Sequence, residues 1–155
     1  MLHFIIIPCY KSSRTIRKVV EMTAEELNNL NISEYEFVLV DDYSPDGGAT
    51  LDELRALARD YSFVKVISLA KNAGQHNAVM AGLNYASGDL LIAMDDDMQT
   101  HPSQLKYLLA EIDKGYDIVY GYYPEKKHSI FRNFGSFVKV GGQAVLGRQR
   151  AMTTP

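Results

Sequence analysis

One stretch of the sequence, residues 90–97, decides the fold, and it reads LLIAMDDD. Its first five residues are apolar without interruption, which is typical of a strand buried on both faces of a parallel sheet. The three aspartates that follow are too polar for the interior, so they mark the point where this strand leaves the core. The stretch therefore predicts a buried parallel strand that ends in a cluster of carboxylates.

Apolar runs of strand length alternate with stretches of helical period along the rest of the chain. We predict five strands, the first of which is stopped by Pro8: 3–7, 35–40, 63–69, 90–94 and 117–122. One face of the first helical stretch carries apolar residues at helical spacings: Ile16, Val19, Val20, Leu27 and Leu30. Strands joined by helices form parallel sheets with right-handed crossovers. Residues 1–155 are therefore expected to form a single α/β domain, a doubly wound and mostly parallel sheet flanked by helices.

The composition limits the classes of function. The chain has 155 residues, of which 46% are hydrophobic and 23% charged, and this balance is that of a globular protein. A formal net charge of −3 argues against a nucleic-acid surface, which is normally basic. The single cysteine, Cys9, cannot form a disulfide within the chain, which favours a reducing compartment. No segment reaches the roughly 20 apolar residues that cross a bilayer, so we expect a cytoplasmic protein.

Side chains capable of chemistry follow the predicted strands at one edge of the sheet. In doubly wound sheets, ligands bind beyond the carboxyl ends of the strands. The residues found there, in strand order, are Pro8 and Tyr10, Asp41 and Asp42, Lys71 and Gly74, and then Asp95, Asp96, Asp97 and Gln99. This edge is therefore the predicted site.

The aspartate cluster predicts a metal site. Residues two apart in an extended chain point the same way, so Asp95 and Asp97 would face one cation while Asp96 turns aside. Gln99 has the same parity and adds a neutral oxygen. Hard oxygen ligands suit Mg²⁺ or Mn²⁺ and leave coordination positions for phosphate. The alternative is that the aspartates cap the helix expected near Pro102, although capping needs only one of them.

The other residues at this edge are candidates for binding a nucleotide, and the Asp41-Asp42 pair has two readings. The Asp41-Asp42 pair can accept hydrogen bonds from a nucleobase or ribose, but the sequence at 44–48 favours a local Asx-type turn. Tyr10 can stack on a base, and Lys71 and Gly74 can approach a phosphate. The chain lacks the glycine patterns of dinucleotide and P-loop sites. A receiver-type phosphoacceptor domain is disfavoured because it needs an acidic pair after the first strand, where this chain has none.

Five segments in a fixed order resemble one protein family. They are IPCY at 7–10, VDDYSPD at 40–46, KNAG at 71–74, ASGD at 86–89 and MDDDMQTHP at 94–102. Together they resemble the family 2 glycosyltransferases with a GT-A fold, and within them the polyprenyl-phosphate subgroup typified by dolichol-phosphate mannosyltransferases. Each segment is modestly specific, but five in register over almost the whole chain are strongly so.

The resemblance implies a role for each of these residues. The nucleoside of a UDP- or GDP-sugar would be held by Pro8, Tyr10, Asp41 and Asp42, and the nucleotide-sugar site would also include Lys71, Gly74 and Asp96. The Mg²⁺ or Mn²⁺ ligands would be Asp95, Asp97 and Gln99. The residues assigned to catalysis are Asp97 and Arg132, the latter because it resembles an arginine that meets phosphate groups.

The resemblance also implies a reaction and its partners. Family 2 enzymes invert the anomeric centre, so the sugar would move in one displacement from the nucleotide to an acceptor, expected to be a polyprenyl phosphate or a glycan. The family usually continues into acceptor-binding structure and often membrane helices. We therefore expect a truncated domain that works at the cytoplasmic face of the membrane, with a second copy of itself as a further partner. The alternative is a module that binds the nucleotide sugar without transferring it.

Overall fold

The computed structural model describes residues 1–99, residues 101–121 and the backbone of residues 137–140. Strands and helices alternate along most of this part of the chain. The strands are β1 (His3–Cys9), β2 (Tyr35–Asp41), β3 (Val64–Ser68), β4 (Leu90–Ala93), β5 (Ile118–Tyr120) and β6 (Phe137–Val140). The helices are α1 (Ile16–Asn29), α2 (Ala49–Asp60), α3 (Gln75–Tyr85) and α4 (Leu105–Ile112), the last preceded by a 3₁₀ turn at Pro102–Gln104.

The described strands form one sheet in the order β3-β2-β1-β4-β6-β5. The first four of these are parallel, and β6 runs antiparallel to both β4 and β5. The predicted α/β class and the mostly parallel sheet are therefore confirmed. The strand order reverses between β1 and β4, and a crevice at the carboxyl ends of these two strands is where this class of sheet binds ligands.

Two apolar layers cover the sheet, one on each face. Alternate residues of β1 enter different layers: Ile5 and Ile7 pack with α1, α2 and α4, whereas Phe4 and Ile6 pack with α3. All seven residues of β1 are buried, because helices lie on both faces of this central strand. The continuous apolar runs in the sequence are thus explained by burial on both faces. No helix in the described ranges is both long and apolar enough to span a membrane.

The prediction that Pro8 stops the first strand is wrong. β1 continues through Pro8, which pairs with Val40 of β2, and ends at Cys9. The carbonyl of Cys9 accepts from the N–H of Asp42, the residue that follows β2. The carbonyl of Ile6 points the other way and accepts from the N–H of Met94, which follows β4. Pro8 has the parity of Ile6, so its missing N–H is on the β4 side, where pairing has already ended. The strand therefore loses no ladder hydrogen bond at the proline.

The second difference from prediction is β6, which the sequence reading did not include. This strand lies between β4 and β5, so β5 pairs with β6 and not with β4. The other predicted strands are found with ends shifted by one or two residues, as is usual for boundaries. Arg132, which was assigned to catalysis, lies outside the described residues.

Candidate functional site

Four loops meet at the carboxyl edge of the parallel strands. The loop after β1 contacts the loop after β4, where the backbone N–H of Tyr10 donates to Asp96 Oδ2 at 3.2 Å. The loop after β3 contacts the loop after β2, where the N–H of Gly74 donates to Asp42 Oδ2 at 3.0 Å. At the start of α3, Gln75 Nε2 donates to Asp95 Oδ1 at 2.7 Å. These hydrogen bonds therefore join the four loops that carry Tyr10, Asp42, Gly74, Asp95 and Asp96 at one edge of the sheet.

The backbone at this edge is held in unusual conformations. Positive φ angles occur directly after β1 at Lys11 (57°), after β2 at Tyr43 (54°) and after β4 at Met98 (61°). The loop after β3 has one at Gly74 (85°), where glycine removes the steric cost. A non-glycine residue in this region costs of order 1–3 kcal/mol, and such residues cluster at functional sites. Among the described residues, three of the four such non-glycine positions lie at this edge, and the fourth, Asn31, follows α1; this distribution favours the edge as the site.

The three neighbouring aspartates contact different parts of the protein. Asp95 is half-buried and accepts from Gln75, and the exposed Asp97 accepts from the backbone of Gln99 at 2.9 Å through Oδ1. Asp96 accepts from the backbone of Tyr10 and from the hydroxyl of Ser12. Burial raises the pKa of Asp96, and these two hydrogen bonds act in the opposite direction. Asp96 thus faces the β1 loop, Asp95 contacts the start of α3, and Asp97 accepts a hydrogen bond from within its own loop.

The alternative that these aspartates cap the following helix is wrong. The 3₁₀ turn before α4 begins after His101, and the Nδ1 atom of that ring accepts from the N–H of Ser103 at 3.2 Å. α4 itself has no side-chain cap. The capping position is filled by a histidine, so capping does not account for the aspartates.

Asp42 is a buried carboxylate that holds the loop after β3. It is 4% exposed, and its Oδ1 and Oδ2 accept from the N–H groups of Ala73 at 2.7 Å and Gly74 at 3.0 Å. Its backbone carbonyl accepts from the side chain of Asn72 at 3.1 Å. Since the same loop leads into α3, Asp42 also sets where Gln75 meets Asp95.

Asp41 forms the local Asx-type turn that the sequence offered as the alternative to nucleoside binding by Asp41 and Asp42. Its Oδ1 accepts from the N–H of Ser44 at 3.2 Å and from the Ser44 hydroxyl at 2.6 Å. The Ser44 oxygen in turn accepts from the N–H of Lys11 at 3.1 Å. The side chain of Asp41 is buried, so it supports the loops after β1 and β2 from below.

Two tyrosines are exposed at the rim of the crevice. Tyr10 is 47% exposed, with the Lys11 ammonium 5.6 Å from its ring centroid, and Tyr43 is 58% exposed. Lys71 is also exposed, on the loop that Asp42 holds, whereas Pro8 is buried in β1. Exposed aromatic rings and ammonium groups are the surfaces that stack on bases and meet phosphates.

Cys9 lies beneath the site and is not available for chemistry there. It is fully buried, and its thiol donates to the carbonyl of Ile7 at 3.3 Å. Burial raises the pKa of the Cys9 thiol, and the charges of Asp96 and Asp41 raise it further. The thiol is therefore kept protonated and acts as a small apolar residue.

The side chains of Asp95, Asp97 and Gln99 offer oxygen atoms, the type of ligand that a hard divalent cation prefers. No three His, Cys, Asp or Glu side chains are gathered closely enough to bind a metal by themselves, within the ranges that the structure describes. A cation here would therefore need oxygens from a ligand as well. That requirement matches the chemistry of a diphosphate, which brings its own oxygens.

Sequence reasoning assigned no role to several residues that build this site. Gln75 contacts Asp95, and the backbone N–H of buried Ser12, after β1, donates to the buried hydroxyl of Thr50 at the start of α2. Tyr43 adds a second exposed aromatic ring beside the loop that carries Tyr10. Only the burial of Thr50, at the spacing of Leu54 and Leu57 on α2, has a signal in the sequence pattern.

The chain matches one known protein family over most of its length. A family model described as "Glycosyl transferase family 2" matches residues 4–142. The chain belongs to glycosyltransferase family 2. The resemblance drawn from the five segments is thereby confirmed at the level of the family.

A curated relative supports the polyprenyl-phosphate resemblance of this glycosyltransferase chain. It is the undecaprenyl-phosphate 4-deoxy-4-formamido-L-arabinose transferase of Proteus mirabilis, 37% identical over 132 residues. The match covers 85% of the chain and 40% of the relative. The chain thus spans well under half the length of this relative.

Solved structures with little sequence identity share the fold. Glucosyl-3-phosphoglycerate synthase from Mycobacterium tuberculosis, in complex with Mn²⁺, UDP and phosphoglyceric acid, has a TM-score of 0.64 at 18% identity, covering 90% of this chain and 55% of that one. A mannosyltransferase from Pyrobaculum calidifontis, in complex with GDP-Man and Mn²⁺, has a TM-score of 0.55 at 21% identity, covering 68% and 32%. The expected GT-A fold is confirmed by these similarities.

Proposed function

We propose that this chain is the donor-binding part of a glycosyltransferase that moves a sugar from a UDP- or GDP-sugar to a polyprenyl phosphate. The observation that carries this is the meeting of four loops at one edge, with exposed rings on one side and the aspartates on the other. The family match supports transfer of a sugar, and the name of the curated relative supports a polyprenyl-phosphate acceptor.

The nucleoside end of the donor would bind at the rim formed by the loops after β1 and β2. Tyr10 and Tyr43 expose rings there that can stack on a base. Asp42 holds the loop that carries Lys71, and a lysine at that place can meet the diphosphate. Pro8, Asp41 and Gly74 would shape the floor of this part of the site, since two of them are buried and the third allows the turn. Asp96 is the remaining member of the predicted donor site.

The metal end of the donor would lie at the aspartate cluster. Asp95, Asp97 and Gln99 are the residues that would hold Mg²⁺ or Mn²⁺. Such a cation, when bound, stabilises the negative charge that develops on the departing nucleoside diphosphate. Solved structures of the same fold contain Mn²⁺ together with GDP-Man or UDP, and these support the cation and leave either base open.

The acceptor decides which groups the chain must supply. A lipid phosphate is already an anion, so it can attack the anomeric carbon without a strong general base. One in-line displacement would invert the anomeric centre, and the task of the protein is to hold donor and acceptor in line. Arg132 would meet phosphate groups, and the reaction would take place at the cytoplasmic face of the membrane where the lipid lies.

Calorimetric titration tests this proposal. UDP, GDP, UDP-glucose and GDP-mannose are each titrated into the chain with and without Mn²⁺, and we expect one base to bind only when Mn²⁺ is present. The double variant Asp95→Asn with Asp97→Asn should lose this metal-dependent binding. The control is Asp113→Asn, because Asp113 is exposed after α4, at the opposite end of the sheet. Binding that survives the double variant would contradict the metal assignment.

Transfer itself is tested separately. A radiolabelled sugar donor is incubated with undecaprenyl phosphate, and labelled lipid is measured after extraction. Formation of labelled lipid supports the transferase. Metal-dependent nucleotide binding with no transfer to the lipid, in this chain and in a longer one, would favour the alternative of a binding module.

A further inference from the structure

Two buried hydroxyl-bearing residues, Ser12 and Thr50, form a chain of hydrogen bonds that starts at the aspartate cluster, here called the hydroxyl chain. Ser12 is 2% exposed, and its hydroxyl donates to Asp96 Oδ2. The N–H of Ser12 donates to the Oγ1 of Thr50 at 2.9 Å, and Thr50 is fully buried. The Thr50 hydroxyl in turn donates to Asp46 Oδ2 at 2.5 Å. These bonds connect the loops that follow β4, β1 and β2.

Each member of this hydroxyl chain is fixed by the element that carries it. The carbonyl of Ser12 accepts from the N–H groups of Thr15 and Ile16, both at 3.0 Å, where α1 begins. The N–H of Thr50 donates to Asp46 Oδ2 at 3.1 Å, in the first turn of α2. The backbone of Ser12 is therefore held by α1 through its carbonyl and by α2 through its N–H, and its hydroxyl is left to donate to Asp96.

We propose that Ser12 and Thr50 are positioning residues that orient the aspartate loop for its cation. Asp96 lies between Asp95 and Asp97, so fixing its side chain fixes the backbone from which both neighbours project. This inference rests on the proposed function, because it takes Asp95 and Asp97 as metal ligands. In this proposal Asp96 anchors the loop through its Oδ2 atom, which accepts from Tyr10 and Ser12.

The energetic reason is preorganisation. A loop that is already ordered loses little entropy when a ligand binds, whereas a loop that must become ordered spends part of the binding free energy on doing so. A hydrogen bond that a carboxylate accepts is among the stronger ones in proteins. Loss of the hydroxyl chain should therefore lower the affinity for the cation by more than the stability of the whole fold would account for.

An isosteric pair of variants at Thr50 separates the hydroxyl from the volume of the side chain. Thr50→Val keeps the shape and removes both hydrogen bonds of the hydroxyl, whereas Thr50→Ser keeps the hydroxyl. Ser12→Ala removes the contact with Asp96 and leaves the backbone bond to Thr50. Binding of Mn²⁺ is measured by the loss of the free-ion electron paramagnetic resonance signal, in the presence of UDP or GDP, whichever the unmodified chain binds.

We expect Thr50→Val and Ser12→Ala to weaken Mn²⁺ binding about five- to tenfold, and Thr50→Ser to remain within about twofold of the unmodified chain. Leu57→Ala is the control for stability, because Leu57 is buried in the core on the same helix and far along it from this edge. Urea denaturation of each variant shows how much stability is lost.

The outcomes separate this inference from the proposed function. If the unmodified chain binds no Mn²⁺ with either nucleotide, the proposed function fails. If it does bind, and Ser12→Ala and Thr50→Val bind as tightly, the positioning role fails alone. A loss in Leu57→Ala as large as that in Ser12→Ala would also overturn it, since the effect would then follow global stability. If Thr50→Val does not fold, Mn²⁺ binding by Ser12→Ala alone decides whether the positioning role holds.

Discussion

Asp42→Asn should destabilise the fold by roughly 2–4 kcal/mol, because the buried carboxylate of Asp42 accepts two backbone N–H groups at once. The donors are Ala73 at 2.7 Å and Gly74 at 3.0 Å, one on each oxygen. Asparagine keeps one acceptor oxygen and turns an NH₂ group toward the other donor. One hydrogen bond to a charged group is lost, at about 1.5–3 kcal/mol, and the remaining bond becomes weaker because it loses its charge.

Urea denaturation followed by circular dichroism measures this change. A domain of this kind has about 5–15 kcal/mol of stability, so the variant remains folded and its midpoint falls while the slope is unchanged. Amide hydrogen exchange at Ala73 and Gly74 should become faster than in the unmodified chain. The control Asp113→Asn, an exposed carboxylate, should change the stability by less than about 0.5 kcal/mol. A change in Asp42→Asn that is equally small, with exchange at both amides unaltered, would refute the role of Asp42 in holding this loop.

Three further predictions follow from the packing. Gly82→Ala should lower the free energy of unfolding by about 1–3 kcal/mol in urea denaturation. The reason is that the new Cβ would lie 2.5 Å from Ile6 Cγ2 and push α3 away from the sheet. A variant more stable than the unmodified chain would contradict this and show that α3 can move to make room. Cys9 should react with iodoacetamide at pH 8 at least ~10³-fold more slowly in the folded chain than in guanidinium chloride. Burial keeps the reagent away from the thiol and also raises its pKa. Comparable rates in the two states would contradict the burial of Cys9. Arg17→Met should lower the free energy of unfolding, measured by urea denaturation, by about 0.5–1 kcal/mol at low salt and by less in 1 M NaCl. The reason is that the Arg17 guanidinium on α1 forms ion pairs with Glu53 and Asp60 on α2. A loss of stability that does not depend on salt would indicate lost packing instead.

The sequence predicts the central strands well because their signal is local. β1, β2 and β4 are apolar runs of strand length, and burial on both faces by helices makes those runs continuous. The place of the site follows from the same pattern, since parallel strands bring their carboxyl ends to one edge. The aspartates after β4 could be placed there without any knowledge of the sheet order.

The sequence predicts less where distant segments decide the structure. β6 has four residues, and nothing in them shows that they would pair with both β4 and β5. The extension of β1 through Pro8 depends on where pairing with β4 ends, which is a property of another strand. Residue spacing near Asp42 does not show that the amides of Ala73 and Gly74 lie against its carboxylate. Hydrogen bonds between loops of this kind appear only once the sheet order is known.

The central claim is that a nucleotide-bound cation lies at Asp95 and Asp97. Mn²⁺ broadens the NMR signals of nearby nuclei, so a titration of ¹⁵N-labelled chain with Mn²⁺, in the presence of the nucleotide that binds, locates the ion directly. The amide signals of residues 95–99 should disappear first, and that of Gly115 at the opposite end of the sheet should remain. Broadening that starts elsewhere, or that is unchanged by replacing both aspartates with asparagine, would contradict the claim.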